Sequence, residues 1–152
     1  MLRPRITPCL LIRNGGLVKT QQFSNDKYVG DPINAVKIFN EKGVDELMIF
    51  DIDATAKQHI PNFELIRNIA VESRMPLCYG GGITDAEQAV RIISLGFEKI
   101  SISAGALERT SSRDMGGVYK LKRKYARNSS RAHATAVHAY SDGTLQSTVL
   151  HL

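Results

Sequence analysis

Short apolar runs alternate with helix-patterned stretches through residues 1–108, at a repeat of about 30 residues, and few folds accept that rhythm. Arg5 to Ile12 reads as a buried strand. Asp31-Pro32 opens a helix with a capping side chain and a proline at its first position. Ala35, Val36, Ile38 and Phe39 supply the apolar side of that helix, and Gly43 ends it. Glu46 to Asp51 is a second strand, apolar until it closes on an acid. Asn62 caps a second helix that turns Leu65, Ile66, Ile69 and Ala70 inward. Met75 to Tyr79 is a third strand, Thr84 to Ser94 a third helix stopped by Gly96, and Lys99 to Ser103 a fourth strand. The expected architecture is α/β, about four βα units with parallel strands under covering helices. Chemistry in such folds sits at the C-terminal ends of strands, which singles out Leu11, Lys19, Asp51, Cys78, Gly81, Gly82, Ser101 and Ser103.

Gly80, Gly81 and Gly82 join the third strand to the third helix. Backbone without Cβ atoms lets a phosphate approach the amide N–H groups, and the helix dipole points its positive end at the same place. A glycine triplet can equally be a plain turn. The text that follows supports a helix start, with Thr84 capping the Glu87 amide and Glu87 reaching back, a capping box.

The net charge of +5 invites a nucleic-acid reading until it is divided along the chain. Residues 1–108 hold 12 Lys/Arg and 13 Asp/Glu, whereas residues 109–152 hold 8 and 2. Basicity therefore belongs to the C-terminal segment alone. No apolar run reaches the roughly 18 residues of a membrane span, and no signal-peptide pattern follows Met1. Cys9 and Cys78 fall in predicted strands without metal-ligand spacing, as buried thiols of a reducing cytoplasm would. No metal and no cofactor are expected.

Several separated motifs carry a resemblance: Arg5-Ile6-x-Pro8-Cys9-Leu10, Val18-Lys19, Gly30-Asp31-Pro32, Asp45-Glu46-Leu47 with Asp51-Ile52, Gly80-Gly81-Gly82-Ile83, and Lys99-Ile100-Ser101-Ile102. From Arg5 to about Glu108 the chain resembles the cyclase subunits of imidazole glycerol phosphate synthase, the ammonia-using (β/α)8 barrels of histidine biosynthesis. The resemblance implies that Gly81 and Gly82, with the backbone after Ser103, hold one phosphate of a bisphosphorylated substrate. Lys19, Asp51 and Ser101 would stand at the same rim. It further implies a ring of charges at the opposite end, where Arg5, Glu46 and Lys99 begin strands one, two and four and gate ammonia from a docked glutaminase. Ion pairs could simply close a barrel bottom, but three charges in register, each at a strand start, favour the gate.

Two departures count against cyclase chemistry. Where the family has its catalytic aspartate at the end of strand one, this chain has Leu11, which cannot exchange a proton. Where the family usually has an asparagine in strand four, this chain has Ser103. Pro8-Cys9-Leu10-Leu11 is similar to a divergent subgroup from surface-polysaccharide gene clusters. Those barrels supply ammonia for an amidine group on a sugar and close no imidazole ring.

A whole barrel needs eight strands and about 250 residues. After Glu108 the text turns to Arg109-Thr110-Ser111-Ser112-Arg113, then Lys120-Leu121-Lys122-Arg123-Lys124, then a Ser/Ala/His stretch. Three readings stand for residues 109–152: the product of a truncated or frame-shifted gene, a fourth helix near 115–127 with a loose end, or a basic arm. Scattered tyrosines and the isolated pair His133 and His138 favour neither nucleic acid nor metal. Half a barrel leaves strands one and four as open edges, so the chain is expected to self-associate, to dock on a partner or to misfold.

Overall fold

A computed structural model describes residues 4–21, 24–102, 135–141 and 144–151. Four strands follow the predicted rhythm: β1 (Cys9–Arg13), β4 (Leu47–Asp51), β5 (Leu77–Gly80) and β6 (Lys99–Ile102). They lie parallel in the order β1-β4-β5-β6. Helices α1 (Pro32–Lys42), α2 (Phe63–Glu72) and α3 (Ala86–Ser94) connect them. The architecture is mixed α/β, a partial (β/α) barrel.

Alternation along each strand divides the sheet into two faces. Leu47, Ile49, Leu77, Tyr79 and Ile100 point to the helices and join Val36, Ile66, Ile69, Ala89, Ile92 and Phe97 in one buried core. Tyr79 meets Phe97 edge-on, with ring centroids 6.0 Å apart. The other face carries two cross-strand rows. Cys9, Met48, Cys78 and Lys99 are register partners, as are Leu11, Phe50, Gly80 and Ser101 one step nearer the C-terminal rim. On this second face Cys78, Gly80 and Lys99 are buried, whereas Leu11, Met48, Phe50 and Ser101 are half-buried and Cys9 is exposed.

Helix ends obey the caps in the sequence at two of three places. Asp31 Oδ1 accepts from Asn34 N at 3.0 Å, Pro32 follows, and Gly43 closes α1 in the left-handed region. Asn62 Oδ1 accepts from Leu65 N at 3.1 Å to begin α2. At α3 the predicted Thr84–Glu87 box gives way to its neighbour. Asp85 is the cap, accepting from Gln88 N at 2.8 Å, and Gln88 Oε1 accepts from Thr84 N at 2.9 Å. The pattern is one residue out of step, because Asp85-Gln88 satisfies the same chemistry as Thr84-Glu87.

Two hairpins were not foreseen. β2 (Gly16–Gln21) and β3 (Ser24–Gly30) fold back antiparallel on β1. Asn14 (φ 51) and Gly15 (φ 79) make the connecting turn, both with the positive φ that an Asn-Gly hairpin requires. The C-terminal segment, expected to be irregular, contributes β7 (Thr135–Ser141) and β8 (Thr144–His151), with β8 antiparallel to β6. The full order is β3-β2-β1-β4-β5-β6-β8-β7. Strands one and four of the reading are therefore not the open edges; among the described residues β3 and β7 are. The helix expected near 115–127 lies outside the described residues.

Candidate functional site

At the C-terminal rim, β4 ends on Asp51, whose Oδ1 accepts from the amides of Asp53 and Ala54, both at 3.1 Å. This folds the backbone sharply over the strand end. The glycine loop packs onto that turn. A Cβ at Gly81 would lie 2.2 Å from the carbonyl oxygen of Asp51, and one at Gly82 would lie 2.7 Å from Ala54 Cβ and 2.8 Å from the His59 carbonyl oxygen. Both glycines have positive φ (110° and 69°). Gly80 is glycine for a different reason, since a Cβ there would sit 2.6 Å from the Phe50 ring. The triplet thus seats Gly81 and Gly82 directly beside Asp51, at the foot of α3, as the sequence led us to expect.

Four other predicted rim residues are distributed less simply. Leu11 lies in the same inner-face row as Phe50 and Ser101, half-buried, so an apolar side chain occupies that position. Ser101 is half-buried on β6, opposite Gly80. Lys19 is not at the end of a parallel strand but in the middle of β2, exposed and opposite Lys27. The unrecognised hairpin is the reason for this correction. Ser103 lies outside the described residues.

The rim also holds a charged cluster that motif reading missed. Arg13 Nε donates to Asp53 Oδ1 at 2.9 Å, while Arg13 Nη1 lies 2.9 Å from Asp26 in β3. Lys57 meets the other oxygen of Asp53 at 2.5 Å, as an ion contact rather than an aligned hydrogen bond, and donates to Asn14 Oδ1 at 3.2 Å. Lys57 first, then Arg13, hold the Asp53 carboxyl below the usual carboxylate range. This cluster ties β1, the turn that follows it and β3 to the β4–α2 loop. His59 Nε2 stands 3.9 Å from Asp51 Oδ1, and His59 with Asp51, Asn14 and Lys57 borders a cleft of about 240 Å³. The cleft opens on the helical side of β1, next to the glycine loop and not within it, since Ile12 and Leu65 line its floor. The signal was present as Asp51-x-Asp53 followed by Lys57 and His59.

At the opposite end, Lys99 Nζ donates to Glu46 Oε2 at 2.5 Å, and both residues are buried (Glu46 6% exposed, Lys99 7%). Glu46 Oε1 has no hydrogen-bond partner among the described residues. Beside the pair, burial pushes the Cys78 thiol up to about 12, with Glu46 adding to the effect. Arg5 is at the same end, because Ile6 N donates to Asp45 Oδ2 (2.7 Å) and Ile6 O accepts from Asp45 N (3.2 Å). Yet its side chain is exposed and forms no ion pair with Glu46, which is paired with Lys99. The structure brings together two of the three charges expected to form a ring.

A glycine loop at one rim and a buried ion pair at the other, on parallel strands joined by helices, define the chain as a partial (β/α) barrel. A family model described as "Histidine biosynthesis protein" matches residues 5–124, and the chain belongs to that family. It is 59% identical over 108 residues to the putative imidazole glycerol phosphate synthase subunit HisF of Leptospira borgpetersenii, covering 71% of this chain and 42% of that one. It is 58% identical over 107 residues to the putative subunit hisF2 of Pseudomonas aeruginosa, covering 70% and 43%. To the imidazole glycerol phosphate synthase subunit HisF of Enterobacter sp. it is 40% identical over 107 residues, covering 70% and 42%. The chain thus spans about two fifths of the length of these curated relatives. Among the described residues no helix is long and apolar enough to cross a membrane.

Proposed function

We propose that this chain is a cyclase-type subunit of an imidazole glycerol phosphate synthase, a lyase of histidine biosynthesis. In that role it binds a phosphorylated small molecule at its upper rim and accepts ammonia from a glutaminase subunit docked on its N-terminal face, in the cytoplasm. One observation carries the reading: Gly81 and Gly82 pack against Asp51 at one end of the inner face, and the Glu46–Lys99 pair closes the other. Between them the inner face carries Cys9, Met48, Leu11 and Phe50. Neutral ammonia crosses such a lining far more cheaply than ammonium, whose charge is costly to desolvate.

Leu11 favours a second reading. With no proton to exchange at that position, the chain would deliver ammonia without closing a ring, as in acetamidino-sugar modification of surface polysaccharide. The higher identity to relatives named only as putative subunits agrees with a divergent role.

Two measurements separate them. An NMR titration with inorganic phosphate should shift the Gly81 and Gly82 amides, and their silence would remove both active readings. Expression in a histidine auxotroph lacking its own cyclase subunit then decides between those two. Growth upholds the cyclase. No growth, with a glutaminase whose glutamine hydrolysis rises when the chain is added, upholds ammonia delivery.

A further inference from the structure

Asp51 follows Leu47 and Ile49 at even spacing on β4, so strand alternation turns it to the helical side. There it lines the cleft of about 240 Å³, together with Asn14 and Gly15 of the β1–β2 turn. Its Oδ1 is taken by two backbone amides, while Oδ2 meets no donor among the described residues. His59 borders the same cleft. Its Nδ1 lies 3.1 Å from the Ile60 carbonyl oxygen, which can only accept, so Nδ1 carries the ring proton. Nε2 of the neutral ring is then an acceptor, and it faces Asp51 Oδ1 across 3.9 Å, too far for a hydrogen bond. Two acceptors thus meet over a gap that neither can close. The charges nearby decide what can close it. Arg13 and Lys57 are matched by Asp26 and Asp53. Asp51 has only His59 against it among the described ion pairs, so with that ring neutral the cleft keeps one unmatched negative charge.

We infer that this cleft binds a small primary amine, whose ammonium donates to Asp51 and to His59 Nε2 while its carbon frame lies on Ile12 and Leu65. An ammonium carries three N–H donors on one centre and serves both acceptors at once, whereas a hydroxyl has a single donor. A nitrogen about 2.9 Å from each acceptor reaches both. A phosphate would meet the unmatched carboxylate and be repelled. Lys57 does not fill the role itself, because its own ammonium is held by Asp53 and Asn14. The side-chain oxygens of Asn14 and Asn62 are engaged by Lys57 and the Leu65 amide, which leaves their amide nitrogens to donate to a hydroxyl on the ligand. The cleft is smaller than the roughly 300 Å³ at which pockets for drug-sized molecules begin, so a short chain or a single ring fits. The site lies on the helical side of the sheet and rests on neither the phosphate nor the ammonia reading.

An NMR titration of the full chain with ethanolamine, at fixed pH and ionic strength, tests the proposal against two controls. Choline has the same charge without an N–H, and ethylene glycol has the hydroxyls without the charge. Ethanolamine should move the Gly15 amide, the Asn14 and Asn62 side-chain amides and the His59 ring, and should saturate at a few millimolar, roughly the affinity of a few charge-assisted bonds. The controls should leave these signals in place. Asp51→Asn keeps an oxygen for the two turn amides while removing the charge, and should weaken binding roughly tenfold or more. His59→Leu changes an exposed side chain, so it leaves the fold intact, and should weaken binding roughly fivefold. No saturation with ethanolamine overturns the proposal. An equal response to choline overturns it too, since charge alone would then suffice, as does a response to ethylene glycol or to inorganic phosphate at these residues in place of ethanolamine. Unchanged affinity in His59→Leu, whose folding is not at issue, also overturns it.

Discussion

Gly81 is glycine twice over, once for its φ of 110° and once because a side chain would enter the carbonyl of Asp51. Gly43 shares only the first condition, with φ 63° and open space where a Cβ would go. Gly81→Ala should therefore cost about 3 kcal/mol or more, against about 1 kcal/mol for Gly43→Ala. Urea denaturation of the two variants measures the difference; equal losses would mean that the Asp51 turn moves aside freely. The residue types at the rim were legible in the sequence, since three consecutive glycines after an apolar strand have few uses. Their division of labour was not. Gly80 accommodates the Phe50 ring while Gly81 and Gly82 accommodate a backbone turn, and those neighbours come from a strand about thirty positions earlier.

Among the elements, α3 tests how finely local chemistry decides a boundary. Thr84-x-x-Glu87 and Asp85-x-x-Gln88 are overlapping boxes, and only the second is used for the cap. Asp85→Ala should lower stability by about 1 kcal/mol, the usual cost of losing a cap. Thr84→Ala should cost less, because the bond to Gln88 Oε1 from its backbone N survives. Thermal unfolding of the pair gives the ranking, and the reverse order would restore the box read from the sequence. The strands show the opposite behaviour. The four parallel strands announce themselves by continuous apolar runs, while β2 and β3 mix Lys19, Thr20, Gln21, Asn25, Asp26 and Lys27 and look like loop. Asn14-Gly15 was the signal for that hairpin, and Asp142-Gly143 for the one linking β7 and β8.

For the molecule as a whole, the Glu46–Lys99 pair joins residues 53 positions apart across β4, β5 and β6. Lys99→Met leaves Glu46 buried with no counter-charge and should cost about 3–5 kcal/mol. The double change Glu46→Leu with Lys99→Met should recover most of that loss, because two apolar side chains need no partners. Chemical denaturation of the single and double variants checks this. A double variant as unstable as the single one would mean that the pair is held for more than charge balance. Arg5 belongs to the same end without joining the pair, which is why the ring of three charges inferred from strand starts is incomplete within one chain.

The sequence by itself determined which segments are parallel strands, where two of the three helices begin, and that a glycine loop follows the third of those strands. Each of these follows from local preference and periodicity, which neighbouring residues express without help from the rest of the chain. Tertiary structure decided that hairpins flank the four strands, that Lys19 stands in the middle of one, and that Arg13, Asp53, Lys57 and His59 gather at the rim. It also decided that one oxygen of Glu46 is buried without a donor among the described residues. Such features depend on register and on which face a side chain turns to, quantities set only when distant strands pair.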